Sequence, residues 1–358
     1  MSNDNIHVIL CGGGTLGPVT PLLAVARALH VRAPGAEISW IGTVDGPEAR
    51  LVSEAGIPFS AISAGKLRRY LSWRNFTDHF RIVKGFFESL RLLRRLHADV
   101  VVTAGGFVAV PVVWAAWFLR VPVHVHQQDI RPGLANRLSL PFATSMSVAL
   151  EGSLAAFARY KPVWTGNPVR AELFAGSRAE AQRLFRLEEG VPTVLVLGGG
   201  TGAVGVNGLV RAALPALTAV AQVIHVAGVG KKDGAEAPRY RQYAFLSSEM
   251  KHAFAAADLV VTRAGMGTLT ELAALGLPAI IIPMPNSHQE DNAQLFALKG
   301  AGVVLGERFL SSKIFANTVQ SLLGDTGKLE SLRSAMRGMS RVDADMRIAE
   351  MVLSPIRS

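Results

Sequence analysis

HVILCGGGTLGPVTP, residues 7–21, decides the fold. Five strand-forming residues end on glycines, and the apolar pattern that follows has helical period. The stretch is therefore a strand, a tight glycine turn and a helix. Glycine lets a ligand approach the backbone closely, and a helix N-terminus offers unpaired N–H groups and partial positive charge to an anion. Gly12, Gly14 and Gly17 spell GxGxxG, a weak signal by itself. The arrangement returns at TVLVLGGGTGAVG, 193–205, where Gly198, Gly200 and Ala203 spell the GxGxxA variant. Repetition at the head of both halves makes a bare structural turn the poorer reading of either loop, and phosphates are the expected ligands.

Working outward, EISWIG (37–42), DVVVTAGG (99–106) and VPVHVHQQ (121–128) supply strands to the first half. QVIHVAG (222–228), ADLVVTRAG (257–265) and PAIIIPMP (278–285) supply them to the second. Apolar runs without alternation mark strands buried on both faces, as in a parallel sheet between helices. The prediction is α/β: two Rossmann-like doubly wound domains, 1–165 and 166–358, joined near Asn167-Pro168. The last helical stretch, about 328–354, is free to pack on either. Ligands of such sheets bind beyond the carboxyl ends of the strands. Two domains facing each other would set their loops on one interdomain cleft, which suits joining two substrates.

The chain has 358 residues, enough for two cores. Its lone cysteine, Cys11, excludes an internal disulfide framework and suits a reducing compartment. The polar start reads as no secretory signal. VVVTAGGFVAVPVVWAAWFL, 100–119, has the length of a bilayer span, but Gly105-Gly106 and Pro111 break it into strand, turn and helix. The net charge of +10 is uneven: residues 1–170 hold 18 Lys and Arg against 10 Asp and Glu, and the remainder 19 against 17. A basic first half points to an anionic partner there.

A dinucleotide site wants an acid at the end of the second strand to hold a ribose. That strand ends WIGT (40–43), and Glu37 sits at its start; GxxxxGK[ST] is absent. More informative is TRAGMGTLTELAALGLPAIIIPMPNSHQEDNA, 262–293. Backbone amides from Met266 to Leu269 are suited to a diphosphate, and Glu271, one turn into the helix, to both ribose hydroxyls. As an ordinary first-turn acid, Glu271 would be worth only about 0.3–1 kcal/mol. The polar cluster from His288 to Asn292 favours the sugar reading, because hydroxyls need donors and acceptors together.

These motifs, taken together, resemble the MurG family of glycosyltransferases. The resemblance rests on GGGTxGxxTPxLAVA, GGFVAVPVVWAAW with HVHQQDIRPGLANR, TGNPVR, VLGGGTGAxGxN, and ADLVVTRAGMGTLTELAALGLPAI with HQEDNA. They occur in family order over about 7–310. The resemblance implies the GT-B fold and an inverting transfer of N-acetylglucosamine from UDP-N-acetylglucosamine to O4 of a polyprenyl-diphosphate-linked muramyl-pentapeptide, a step of peptidoglycan synthesis. No cofactor and no metal are implied. The C-terminal domain would hold the UDP-sugar and the N-terminal domain the lipid acceptor. Motif by motif, substrate contacts fall on Thr15, Leu16, Gly17, Asp129, Arg170, Gly200, Thr201, Leu246, Met266, Gly267, Thr268, Leu269, Thr270, Glu271 and Gln289. The family's work on the cytoplasmic face of the inner membrane implies a peripheral protein there. A lipid glycosyltransferase acting on diacylglycerol and a non-catalytic UDP-sugar-binding homologue are the alternatives.

Two positions depart from the family pattern. The histidine favoured there as general base is Pro18, and the usual HEQN is HQQD (126–129). Asp129 is the expected replacement, as base or as an acceptor-positioning group; the competing reading makes it only a cap of the following turn.

KLRRYLSWRNFTDHFRIVKGFFESLRLLRRL, 66–96, mixes Trp73, Phe76, Phe80, Phe86 and Phe87 with nine Lys and Arg. Nucleic acid would call for aromatics interleaved along a strand or groove. Helical spacing instead suggests an element at an anionic membrane surface, about 66–87, with residues beyond 82 turning toward the core.

Overall fold

The computed structural model describes residues 6–15, 17–65, 73–198 and 202–357, with the side chains of 73–79 and 355–357 outside that description. The chain forms two compact units. One runs to Arg170 and resumes at Arg341; the other is Ala171–Ser340.

The first unit holds β1 (His7–Cys11), β2 (Glu37–Thr43), β3 (Phe59–Ile62), β4 (Val100–Thr103), β5 (Val123–Gln127), β6 (Ser145–Val148) and β7 (Val163–Trp164). All pair in parallel, in the order β3-β2-β1-β4-β5-β6-β7. The order reverses at β1, where Leu10 lies between Trp40 of β2 and Val102 of β4. Successive residues of β1 face opposite ways. Ile9 and Cys11 join a core with Val112 and Val113 of the helix Ala109–Phe118 and Leu93 of the helix Trp73–Arg95. Val8 and Leu10 pack on the other face with Leu22 and Val25 of the helix Val19–Arg32. Ile348, Ala349, Val352 and Leu353 of the final helix, Ala344–Arg357, complete that second core. Each fully buried aliphatic side chain contributes roughly 1.5–3 kcal/mol. Residues 100–119 are the expected strand, glycine turn and helix, with Gly105 at φ +103° and Gly106 at φ +92°. Among the described residues no helix is long and apolar enough to cross a membrane.

The second unit repeats the plan with β8 (Thr193–Leu197), β9 (Gln222–Val226), β10 (Tyr240–Tyr243), β11 (Leu259–Thr262), β12 (Ala279–Ile281) and β13 (Val303–Val304). Its parallel order is β10-β9-β8-β11-β12-β13, reversing at β8. Both halves are thus the doubly wound sheets that the repeated glycine turns predict. The helical stretch expected over 328–354 is two helices: Thr326–Gly338 ends in the second unit, and Ala344–Arg357 belongs to the first.

Candidate active site

In doubly wound sheets the ligand position is the end of the strands where their order reverses. In the first unit that point is the turn after β1. It is braced from below by two fully buried side chains. The Trp40 Nε1–H donates to Gly12 O at 2.9 Å, and the Gly14 N–H donates to Glu48 Oε2 at 3.1 Å. Glu48 opens the short helix Glu48–Glu54, and its Oε1 also accepts from the Thr43 N–H and hydroxyl, both at 2.6 Å. Beyond the end of the second strand the acid that reaches this loop is thus Glu48, five residues past Thr43. It faces inward, however, onto the loop rather than outward to a ribose. The fit requires glycine: a Cβ on Gly13 would fall 2.1 Å from Glu48 Oε1, and one on Gly46 2.0 Å from Oε2. Burial, and then the Glu48 charge, push the neighbouring Cys11 thiol well above the usual range, so it stays protonated.

The turn after β4 interlocks with this loop. A Cβ on Gly106 would meet Gly13 O at 2.7 Å, and one on Gly14 would meet the Phe107 ring at 2.1 Å. Thr15 and Gly17 are exposed beyond the braced portion; Leu16 lies outside the described residues. Pro18, with φ −72° and ψ −17°, already has helical backbone and leads into Val19–Arg32 with no side-chain cap.

After β5, Gln127 takes over a bracing task. Its Nε2 donates to Asp129 O at 2.7 Å and to Arg131 O at 3.2 Å. With the amide nitrogen facing two carbonyls, Oε1 must accept, and it does so from Asn136 Nδ2 at 2.6 Å. Asn136 Oδ1 then points at Gly105, 2.9 Å from its Cβ position, buried and with no hydrogen-bond partner among the described residues. Asp129 is half-buried on the loop so held, and the helix that follows, Leu134–Ser139, is capped at Gly133 without a side chain.

A buried polar relay runs behind this loop. His124 Nδ1 pairs with Ser145 Oγ (2.8 Å) and its Nε2 with Ser147 Oγ (2.9 Å). Ser147 Oγ also meets His126 Nδ1 (2.8 Å), and His126 Nε2 meets Asn167 Oδ1 (2.9 Å). Burial pushes His124 down to about 3 and His126 to about 4, leaving both neutral at physiological pH. Asn167 lies three residues before the half-buried Arg170.

The second unit reverses at β8 and β11. Gly200 and Thr201 lie outside the described residues. At Gly202, φ is +72° and a Cβ would fall 2.1 Å from Ala227 O, so only glycine fits. Ala227 O accepts from Asn207 Nδ2 (2.9 Å); Asn207 Oδ1 meets His225 Nε2 (3.0 Å), and His225 Nδ1 meets the Tyr240 hydroxyl (2.7 Å). The turn after β11 leads into the helix Met266–Leu275, whose N-cap, Gly265, provides no side chain. The first N–H groups of a helix have no partner within it, and a Cβ on Gly265 or Gly267 would meet nothing within 4 Å. Both features leave backbone donors open to an anion. Met266 and Leu269 are buried in the core, and the Thr270 hydroxyl donates back to Met266 O (2.8 Å) and Gly267 O (3.0 Å). These three therefore offer backbone rather than side chain, as does the buried Leu246 after β10. Thr268 and Glu271 are half-buried in the first turns.

Sequence reading missed the residues that hold this turn. Arg263 forms a two-pronged pair with Glu307 (2.7 and 3.0 Å) and donates to Ile282 O and Pro283 O at 3.1 and 3.3 Å. Asn292 Nδ2, fully buried, donates to Ala264 O at 3.1 Å. Gln289 Oε1 accepts from the Met284 N–H at 3.1 Å, closing the loop before its own helix. In sequence, Arg263 stood between a strand and a glycine, and Glu307 too far away for any spacing to link them. The polar cluster His288–Asn292 pointed to a sugar, whereas Asn292 is buried and spends its amide on Ala264 O.

Residues 8–148 match the glycosyltransferase family 28 N-terminal domain and residues 193–348 its C-terminal domain. The chain is 39% identical over 352 residues to the UDP-N-acetylglucosamine–N-acetylmuramyl-(pentapeptide) pyrophosphoryl-undecaprenol N-acetylglucosamine transferase of Lachnoclostridium phytofermentans, covering 97% of this chain and 98% of that one. It is 40% identical over 321 residues to the transferase of the same name from Shouchella clausii, covering 88% and 90%. The crystal structure of Acinetobacter baumannii MurG superposes with a TM-score of 0.76 at 26% identity, covering 98% of this chain and 99% of that one. Two glycosyltransferase domains in one chain, and similarity running through both, settle the family: the chain belongs to glycosyltransferase family 28, with the N-acetylmuramyl-(pentapeptide) pyrophosphoryl-undecaprenol N-acetylglucosamine transferases.

Proposed function

We propose that this chain transfers N-acetylglucosamine from UDP-N-acetylglucosamine to O4 of the muramyl sugar in polyprenyl-diphosphate-linked muramyl-pentapeptide, with inversion at the anomeric carbon. The observation that carries the reading is the uncapped N-terminus of the helix Met266–Leu275, with Glu271 one turn in, in a chain similar end to end to transferases of that name. The open amides at 266–268 hold the diphosphate and stabilise its charge as the bond from C1 to the phosphate oxygen breaks. Glu271 accepts from the ribose hydroxyls, Gln289 meets the sugar, the backbone at Leu246 meets the base, and Arg170 assists the departing charge. The acceptor O4 forms the new bond to C1, and its proton passes to Asp129. General-base help of this kind contributes about 10²–10⁴-fold.

A second surface suits the lipid tail of the acceptor. Phe80, Val83 and Phe87 on the helix Trp73–Arg95, and Trp117 and Phe118 at the end of Ala109–Phe118, are more than half exposed. Exposed Arg81, Lys84 and Arg91 flank them. Beyond residue 82 the helix therefore has a core face, with Ile82, Leu90 and Leu93, and also a bare apolar face, where sequence spacing alone suggested only core. We read the bare face as shallow contact with an anionic membrane, which puts the protein at the cytoplasmic membrane surface; residues 66–72 of the same stretch lie outside the described ones.

The test is incubation of labelled UDP-N-acetylglucosamine with lipid-linked muramyl-pentapeptide and, separately, with diacylglycerol. Labelled disaccharide lipid is expected from the first alone; binding without transfer in either sinks the reading. Flotation with vesicles is expected to require anionic lipid.

A further inference from the structure

The cation beside the turn after β11 is spent inside the protein. Arg263 is mostly buried, and its Nη1 and Nη2 donate to Glu307 Oε2 and Oε1 at 2.7 and 3.0 Å in an ion pair. Nη1 also donates to Ile282 O and Pro283 O, at 3.1 and 3.3 Å. Both residues are buried just past the end of β12, so their carbonyls need a donor from outside the sheet. Glu307 opens the short helical turn Glu307–Phe309 after β13. It is fixed from a second side by the helix Val204–Val220, because a Cβ on Gly205 would strike its Oε1. One guanidinium thus ties together the segments that follow β11, β12 and β13.

Pro283 leads directly into the loop that carries Gln289. There the Met284 N–H donates to Gln289 Oε1 at 3.1 Å, and the Ser287 hydroxyl donates to Met284 O at 2.7 Å. A backbone N–H only donates, so the amide oxygen of Gln289 faces Met284, and Nε2 is the end left for a ligand. The turn after β11 has anchors of its own: Asn292 Nδ2 holds Ala264 O, and Met266 and Leu269 are buried in the core. Loss of Glu307 therefore loosens the loop at 283–289 and leaves that turn in place.

We propose that Glu307, acting through Arg263, is a positioning residue for the sugar of the donor. It fixes the end of β12 so that Gln289 offers Nε2 to an oxygen of the sugar, and it adds nothing to the hold on UDP. The inference rests on the reading of this unit as the UDP-sugar site and deepens it. Glu307 itself touches neither ligand nor reacting atom.

Glu307→Gln keeps size but leaves one oxygen for the guanidinium, so one prong of the pair is lost. Calorimetry is expected to show UDP affinity within twofold of wild type and UDP-N-acetylglucosamine affinity lowered about 5- to 10-fold, the loss of one hydrogen bond. A merely structural role lowers both affinities alike; equal losses, or none, overturn the proposal. In a Gln289→Ala background, Glu307→Gln is expected to cost no further UDP-N-acetylglucosamine affinity. Additive losses overturn the route through Gln289. Should Glu307→Gln not fold, the wild-type protein still decides. NMR signals of the Gln289 side-chain amide and the Arg263 guanidinium are expected to shift together with UDP-N-acetylglucosamine, beyond any shift that UDP causes. A response of Gln289 alone overturns the coupling. A wild type that transfers no sugar yet shows the affinity split fails only as a transferase; full transfer without the split removes only this inference.

Discussion

The glycine turns after β1 and after β11 stand at the same place in two sheets of the same kind, yet their surroundings differ. In the first unit a carboxylate beneath the loop consumes the Gly14 amide, and the turns after β1 and β4 leave no room for a Cβ at Gly13, Gly14 or Gly106. In the second unit the turn after β11 opens a helix without a side-chain cap, and Gly265 and Gly267 have open space around them. Glycine is required in the first case by neighbours inside the protein; in the second it leaves room for something outside. Glycine therefore fits a loop to its own scaffold in the turn after β1 and leaves backbone open in the turn after β11. A motif match alone does not separate these uses, whereas the atoms around each glycine do.

If the halves divide the work, their variants must fail differently. Asp129→Asn in the first unit is expected to lower kcat by 10²–10⁴-fold with UDP-N-acetylglucosamine affinity kept. Glu271→Gln in the second is expected to weaken UDP-N-acetylglucosamine binding about 10- to 100-fold, the loss of charge-assisted hydrogen bonds. Steady-state kinetics beside calorimetry separates them; an Asp129→Asn protein with wild-type turnover removes Asp129 from the chemistry.

A pH titration sharpens the contrast at the level of stability. His124 and His126 of the first unit and His225 of the second are held neutral by burial, the first at about 3 and the others at about 4, against an ordinary 6.5. Unfolded chains protonate these groups as pH drops through 6.5, and the folded protein does so only near 3–4. Their contribution is therefore intact above about 6.5 and shrinks as pH falls toward 4, by about 1.4 kcal/mol per histidine per pH unit. Hydrogen exchange in β5 is expected to lose protection about twice as steeply as in β9 between pH 6 and 4.5. Equal slopes would mean that the relay through Ser147 is not what holds β5 and β6 together.

The smallest effects come from the glycines themselves. Gly13→Ala forces a methyl into Glu48 and is expected to destabilise by about 1–3 kcal/mol. Gly267→Ala meets no atom and improves helix propensity, so up to about 1 kcal/mol of stabilisation is expected, with UDP binding weakened. Paired thermal melts check the opposite signs; two losses of similar size would erase the contrast drawn above.

Much of this was legible in the chain. Unbroken apolar runs such as VVVT and LVVT gave buried parallel strands, and the repeated glycine turn gave two sheets. The loop with Gly265, Glu271 and Gln289 stood out because polar residues crowd where a core strand has just ended. What stayed hidden depends on contacts between distant positions. Nothing local to Glu48, which follows Gly46-Pro47, reveals that it turns back under Gly14, 34 residues earlier. Arg263 and Glu307, 44 residues apart, are equally silent until folded. How far the apolar face at Val83 and Phe87 is left uncovered was also not decided, because helical spacing reports that a face is apolar and not whether anything covers it.

The helix Ala344–Arg357 lends Ile348, Ala349, Val352 and Leu353 to the sheet that opens with β1. During synthesis the core around β1 can close only after Ala344–Arg357 has emerged, whereas the middle unit, Ala171–Ser340, is continuous and has all its strands in hand sooner. The portion synthesised first is the last to be finished. Removing Ala344–Arg357 should injure the unit that holds β1, leaving Ala171–Ser340 to fold as before.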